Sequence, residues 1–260
     1  MKKNEAQRST RGIGTPDAMA GRVALVTGGA RKFGASVCRH LAGQGYRVVI
    51  NYRTSRAQAE SLADKIRGRG GQAMPCQADV TRERDVRRMI DRVKCSFGRL
   101  DVLINNVGDY LEKPLARVST KEWEVIIQSN LTSAFLCSKE ALPLMRKEKE
   151  GRIVMIGYAP AGKLAASPRC AVYHLAKTGA LILAKSMAVE EAPHGITVNM
   201  ISPGTIFNSV KKPSGTASDY IPAGRFCRYA DLLGMLDYLL SEEAAYVTGG
   251  NFVVSGGYAI

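Results

Sequence analysis

Acidic side chains are the scarce ones: 23 Asp and Glu face 37 Lys and Arg, leaving a formal net charge of +14 over 260 residues. The familiar nucleic-acid readers are also missing, with no helix-turn-helix, no zinc finger and no interleaving of basic and aromatic residues. The basic residues are spread along the chain, so their excess suits an anionic cofactor or an acidic carrier protein, and nucleic acid is not expected as a partner. No apolar run reaches the ~18 residues that a membrane-spanning helix needs, so no membrane partner is expected. Cys-x-x-Cys pairs are absent. Cys38, Cys76, Cys95, Cys137, Cys170 and Cys227 are scattered and read as buried thiols of a reducing, cytoplasmic compartment, with no metal site expected. Met1 to Ala20 has no hydrophobic stretch that would make a signal peptide, and reads as a flexible basic tail. No linker or repeat divides the rest. Residues 21–260 are therefore expected to form one α/β domain, consistent with 45% hydrophobic residues and 26 glycines.

What is present is an alternation of short apolar runs with helical patterns. Strands are predicted at 22–27, 47–52, 73–78, 100–105, 151–156, 197–201 and 251–254, with helices at 35–44, 57–69, from Thr81 to about 97, 122–146, through Tyr173 to about 192, and 229–241. Strands alternating with helices imply a doubly wound parallel seven-stranded sheet with helices on both faces. Thr81 is expected to cap its helix. A mid-helix Asn130 calls for an explanation, because Asn is a poor helix former.

Three stretches carry chemistry. The first strand runs into Thr27-Gly28-Gly29-Ala30-Arg31-Lys32-Phe33-Gly34 and then a helix; a glycine turn between strand and helix start is a phosphate cradle. After the second strand an NAD site wants an acid for the ribose 2′-hydroxyl. This chain has Asn51-Tyr52-Arg53-Thr54 instead. Arg53, with Arg31 and Lys32, suits a 2′-phosphate, and hence NADPH/NADP+; the alternative is solvated surface arginines. The third stretch is Tyr173-x-x-x-Lys177. One helical turn brings phenol and ammonium together and is expected to lower the Tyr pKa, making Tyr173 a proton donor and acceptor. The pair alone also fits an ordinary amphipathic surface.

Together with Asp79-Val80, Asn105-Asn106-Val107-Gly108, Asn130, Pro203-Gly204 and Gly256-Gly257, these motifs, in this order over about 21–260, resemble the short-chain dehydrogenase/reductase family. Ile221-Pro222-Ala223-Gly224-Arg225 and Val247-Thr248-Gly249-Gly250 are similar to its 3-oxoacyl-(acyl-carrier-protein) reductase branch. The resemblance implies a Rossmann fold and an oxidoreductase that reduces the carbonyl of a small molecule, free or carrier-bound. Gly28 and Gly34 would shape the pyrophosphate turn, Asp79 and Val80 would hold adenine, and Asn106 would lie against its ribose. Tyr173 would be the acid, Lys177 would hold the nicotinamide ribose, Asn130 would keep a water joining Lys177 to solvent, and Thr205 and Ile206 would sit near the carboxamide. It also implies a homotetramer of D2 symmetry. Ala134, Leu136, Leu142, Leu181 and Leu183 are candidates for its interface, or else pack on the sheet.

Two positions depart from the family. Lys32 stands where its middle glycine is usual; pteridine reductases resemble this chain in placing a basic residue there and in the Tyr-Arg-x-Ser stretch after the second strand. Tyr158 stands where a catalytic Ser is expected. The Tyr158 hydroxyl, or Ser167 from the following loop, is the candidate replacement. Loss of such a donor costs about 10²–10³ in rate. Three functions therefore stand open: an NADPH-dependent 3-oxoacyl-like carbonyl reductase, a pteridine reductase-like enzyme, and a cofactor-binding regulatory or scaffold protein with impaired turnover. The stretch from Thr205 to Tyr220, with Lys211, Lys212 and Gly215, is expected to cover the substrate.

Overall fold

Strands made almost wholly of apolar residues need cover on both faces, and the chain supplies it. In the computed structural model, which describes residues 21–209 and 216–259, seven parallel strands form one sheet. They are β1 (Val23–Val26), β2 (Arg47–Tyr52), β3 (Gln72–Gln77), β4 (Val102–Asn105), β5 (Gly151–Ile156), β6 (Ile196–Pro203) and β7 (Asn251–Val254), in the order β3-β2-β1-β4-β5-β6-β7. Side chains alternate between faces. Val23 and Leu25 join one core with Val49, Leu103, Ile153 and Met155, while Ala24 and Val26 join the other with Val48, Ile50, Ile104 and Val154. Helices α3 (Glu83–Phe97), α5 (Ser133–Glu148) and α6 (Ala171–Glu191) cover the first; α1 (Lys32–Gly43), α2 (Arg56–Arg67) and α7 (Tyr229–Leu240) cover the second. The strand order reverses between β1 and β4, so their C-terminal ends open a crevice of the kind in which doubly wound sheets bind ligands. The expected tail of residues 1–20, and Lys211, Lys212 and Gly215, lie outside the described residues.

Three local expectations are corrected. Thr81 does not cap α3: its N–H and hydroxyl both bond Asp79 Oδ1, at 3.1 and 2.7 Å, and the helix begins after Arg82. The single helix expected at 122–146 is α4 (Thr120–Ile127), a π-helical turn at Gln128–Thr132, and α5. Asn130 sits in that turn. Its Nδ2 donates to the Ile126 carbonyl at 3.0 Å, an acceptor that the widened turn leaves short, and to the Asp109 carbonyl at 2.8 Å, which ties the turn to the loop after β4. Finally, the apolar residues nominated for an interface serve this chain's own core: Ala134, Leu136 and Leu181 are buried, and Leu142 and Leu183 pack against them. The exposed apolar stripe of α6 is Leu175, Ile182 and Val189, seven apart, with Phe135 exposed on α5.

Candidate active site at the C-terminal end of the sheet

The glycine turn is built by close approach. Gly28 has φ +60°, and a Cβ on Gly34 would fall 2.4 Å from the Gly28 carbonyl oxygen, so the chain can lie this flat only without side chains. Lys32 also adopts a left-handed φ, +49°, a conformation that a glycine there would take without strain. Thr27 Oγ1 accepts from the N–H groups of Asn106 and Val107, at 2.9 and 3.2 Å, and Asn106 Nδ2 donates back to the Thr27 carbonyl at 2.9 Å. The ends of β1 and β4 are thus laced together. Asn51, read in the sequence only as a missing acid, accepts from Gly28 N–H at 3.1 Å and donates to the Ala78 carbonyl at 3.1 Å, tying the turn to the end of β3. A buried Asn at the end of a strand was the available signal.

Not every residue expected at the cofactor presents its side chain to the crevice. Asn105 is buried and donates to Ser138 Oγ at 3.0 Å; Phe33 packs against Tyr229 with ring centroids 5.4 Å apart; Tyr52 and Val80 are buried. Arg53, Thr54 and Asp79 do come together, lining a cavity of about 860 Å³ beyond the ends of β2 and β3. That lining omits Arg31 and Lys32, which are exposed at the start of α1, and includes Arg82, which the sequence reading passed over and whose Nε lies 3.7 Å from Asp79 Oδ2. On the far side, Pro203 ends β6, Gly204 N–H donates to the Val254 carbonyl at 3.0 Å, Thr205 accepts from Cys227 N–H at 3.0 Å, and Ile206 N–H bonds Ser209 Oγ at 3.1 Å.

Asn130, Tyr158, Tyr173 and Lys177 are brought together, as expected. Tyr158, just past β5, meets Tyr173 edge-on with ring centroids 5.2 Å apart. Burial pushes its phenol up to about 12, with Cys170 and Tyr258 nearby adding to the rise and a hydrogen bond to Ser167 opposing it. Both candidate replacements for the missing Ser are therefore in one place. Lys177 is buried, its Nζ donating to the Ile156 carbonyl at 2.7 Å, and burial pulls its pKa from 10.5 down to about 8. The expected depression of Tyr173 is not found. Burial raises its phenol well above the ordinary value, with Tyr158 and Cys170 adding to the rise. The ammonium stays 5.8 Å from the ring centroid, bound to a carbonyl, so desolvation outweighs it. Asn130 Oδ1 is buried with no hydrogen-bond partner among the described residues, and a Cβ on Gly108 would lie 2.3 Å from this oxygen and 3.2 Å from Lys177 Nζ. Only a glycine lets the backbone pass this close to both polar groups. Tyr110 and Cys170, also passed over in the sequence, complete the surroundings: the Tyr110 ring is 5.0 Å from Tyr173, and its hydroxyl lies 3.2 Å from Cys170 Sγ.

These features fit a nicotinamide dinucleotide. The turn is a cradle that side chains would fill, the adenine end carries Arg53, and the reacting end has an orphaned amide oxygen beside a buried lysine. Comparison with known proteins agrees. The family model described as enoyl-(acyl carrier protein) reductase matches residues 28–259. A 3-oxoacyl-[acyl-carrier-protein] reductase of Synechocystis sp. is 36% identical over 92% of this chain and 98% of its own length, and one of Staphylococcus aureus is 35% identical over 90% and 96%. Among solved structures, a short-chain type dehydrogenase/reductase from Mycobacterium marinum superposes with a TM-score of 0.84 at 32% identity, covering 92% of this chain and 96% of that one. A gluconate 5-dehydrogenase from Burkholderia cenocepacia, in complex with NADP and tartrate, gives 0.85 at 29% identity, covering 92% and 95%.

Proposed function

The chain belongs to the short-chain dehydrogenase/reductase family of oxidoreductases, and from that premise we propose that it reduces a carbonyl to an alcohol with NADPH, acting on a 3-oxoacyl group carried as a thioester. The observation that carries the reading is the reacting corner: a protonated Tyr173 phenol beside a buried Lys177, with the unpartnered Asn130 oxygen opposite. When bound, the nicotinamide cofactor supplies a hydride. Tyr173 donates the proton that the carbonyl oxygen takes up; with its pKa raised, it is a donor across the neutral range. Lys177, held by the Ile156 carbonyl, would bind the ribose hydroxyls and return a proton to Tyr173, and the unpartnered Asn130 oxygen suits a water joining it to Lys177. Tyr158, with Ser167 at its hydroxyl, orients the carbonyl in place of the usual Ser.

Gly28, Gly34, Asn106, Val107 and Gly108 shape the cofactor crevice, Asp79 and Val80 its adenine end, and Pro203 to Ile206 its nicotinamide end. Arg53 favours a 2′-phosphate, aided by Arg31 and Lys32. The net charge of +14 and the names of the curated relatives support an acidic carrier protein as the bearer of the acyl group, its thioester left intact. A pteridine-type substrate is the second reading, favoured by the left-handed Lys32 in the turn and by Arg53 after β2. We further propose a tetramer, with the Leu175, Ile182 and Val189 stripe at a two-fold interface. The test of the main reading is NADPH oxidation with 3-oxoacyl thioesters: turnover is expected in the unmutated protein and none in Tyr173→Phe, with NADPH binding nearly unchanged. Full activity in Tyr173→Phe together with loss in Tyr158→Phe would overturn the assignment.

A further inference from the structure

Three of the ten tyrosines pack ring on ring at the reacting corner, and two more pair with each other in the C-terminal stretch. Tyr110 and Tyr158 both meet Tyr173 edge-on, at interplanar angles of 77° and 71°. Tyr220 packs on Tyr258 with centroids 6.1 Å apart, and Tyr258 lies close enough to Tyr158 to act on its phenol. The array draws on four separate parts of the chain: the loop after β4, the end of β5, α6, and the C-terminal stretch from 216 to 259. Tyr110 is 43% exposed and Tyr158 partly so, which leaves ring surface free for a ligand. The Tyr220 hydroxyl is buried with no partner among the described residues.

From this wall we infer that the reacting carbonyl of the substrate is conjugated to an aromatic ring: an aryl ketone, and in the carrier-linked case a 3-aryl-3-oxoacyl thioester. The inference rests on the carbonyl-reduction reading and goes beyond it by naming the substrate class. Edge-to-face rings leave faces uncovered, and a flat conjugated ring entering beside Tyr110 and Tyr158 completes aromatic pairs that an alkyl chain cannot make. Two such pairs correspond to a preference of about tenfold or more. A planar aryl ketone also brings few rotors to freeze on binding. The chemistry balances as for any ketone: the carbonyl carbon gains a hydride, the oxygen gains the Tyr173 proton, the aryl ketone becomes an aryl carbinol, NADPH is left as NADP+, and solvent restores the proton.

The test compares ethyl benzoylacetate with ethyl 3-oxohexanoate on the full-length protein. Binding to the NADP+-saturated protein is measured by calorimetry, and turnover with NADPH by absorbance. The aryl ester is expected to be favoured about tenfold or more in both Kd and kcat/KM, and Tyr110→Leu is expected to bring both ratios towards one while NADPH affinity stays the same. Equal binding, preference for the alkyl ester, or no binding of either overturns the inference whatever the turnover. Aryl-selective binding without turnover upholds the substrate class and overturns the reduction reading instead.

Discussion

Replacing Lys177 with Met isolates the energetic burden of the buried ammonium. Lys177 is 5% exposed, and burial lowers its pKa from 10.5 in an unfolded chain to about 8. At pH 7 both folded and unfolded states carry the proton, and the folded state bears the desolvation. As pH rises from 8 to 10.5 the folded protein releases its proton while the unfolded chain keeps its own, so stability rises with pH through that window. The full difference corresponds to about 3 kcal/mol, most of which is recovered between pH 7 and pH 10. Lys177→Met has no such group, and all other titrations cancel on subtraction. Urea unfolding of both proteins, free of cofactor, at the two pH values should therefore show the unmutated protein gaining about 2–3 kcal/mol on the variant at the higher pH. A constant gap between them, or a loss with rising pH, would refute the reasoning. In that case the ammonium would be paired or solvated in the folded protein.

Three further outcomes are expected. Arg53→Asp should reverse a preference for NADPH over NADH of about tenfold or more, read as Kd by fluorescence titration, while equal affinities in the unmutated protein would sink the phosphate reading. Gly108→Ala puts a methyl group 2.3 Å from Asn130 Oδ1, so about 1–3 kcal/mol of stability should be lost by overpacking, together with a displaced pH profile of kcat, because the space between Asn130 and Lys177 is filled. Ile182→Asp, in the middle of the exposed α6 stripe, should lower the mass seen by static light scattering at micromolar concentration; a monomeric unmutated protein would remove the proposed interface.

The five inner strands were legible because buried parallel strands are written as apolar runs, and these and the part-buried edge strands β3 and β7 were all placed within about two residues. The glycine turn and the Tyr173/Lys177 pair were legible because backbone approach and helical spacing are local properties. Features that depend on chain segments meeting were not legible. Tyr110 and Cys170 lie far apart in sequence and carry no motif, and Asn51 looked like the absence of an acid until its side chain was seen to hold Gly28. The expectation for the Tyr173 phenol failed for a related reason. Spacing reports that a cation is one turn away, but not that the cation has a carbonyl partner or that the phenol is shut from water.

The π-helical turn at Gln128–Thr132 sets a constraint of length as well as of identity. The wide turn closes i→i+5 and so absorbs one extra residue while α4 and α5 keep their faces to the core. Deleting Gln128 would let the turn close to regular α winding with Cys137, Ala141 and Met145 still buried, but it would draw Asn130 inward and take its amide away from the Asp109 carbonyl. A variant one residue shorter should therefore fold and lose the placement of Asn130, a loss of site without a loss of core.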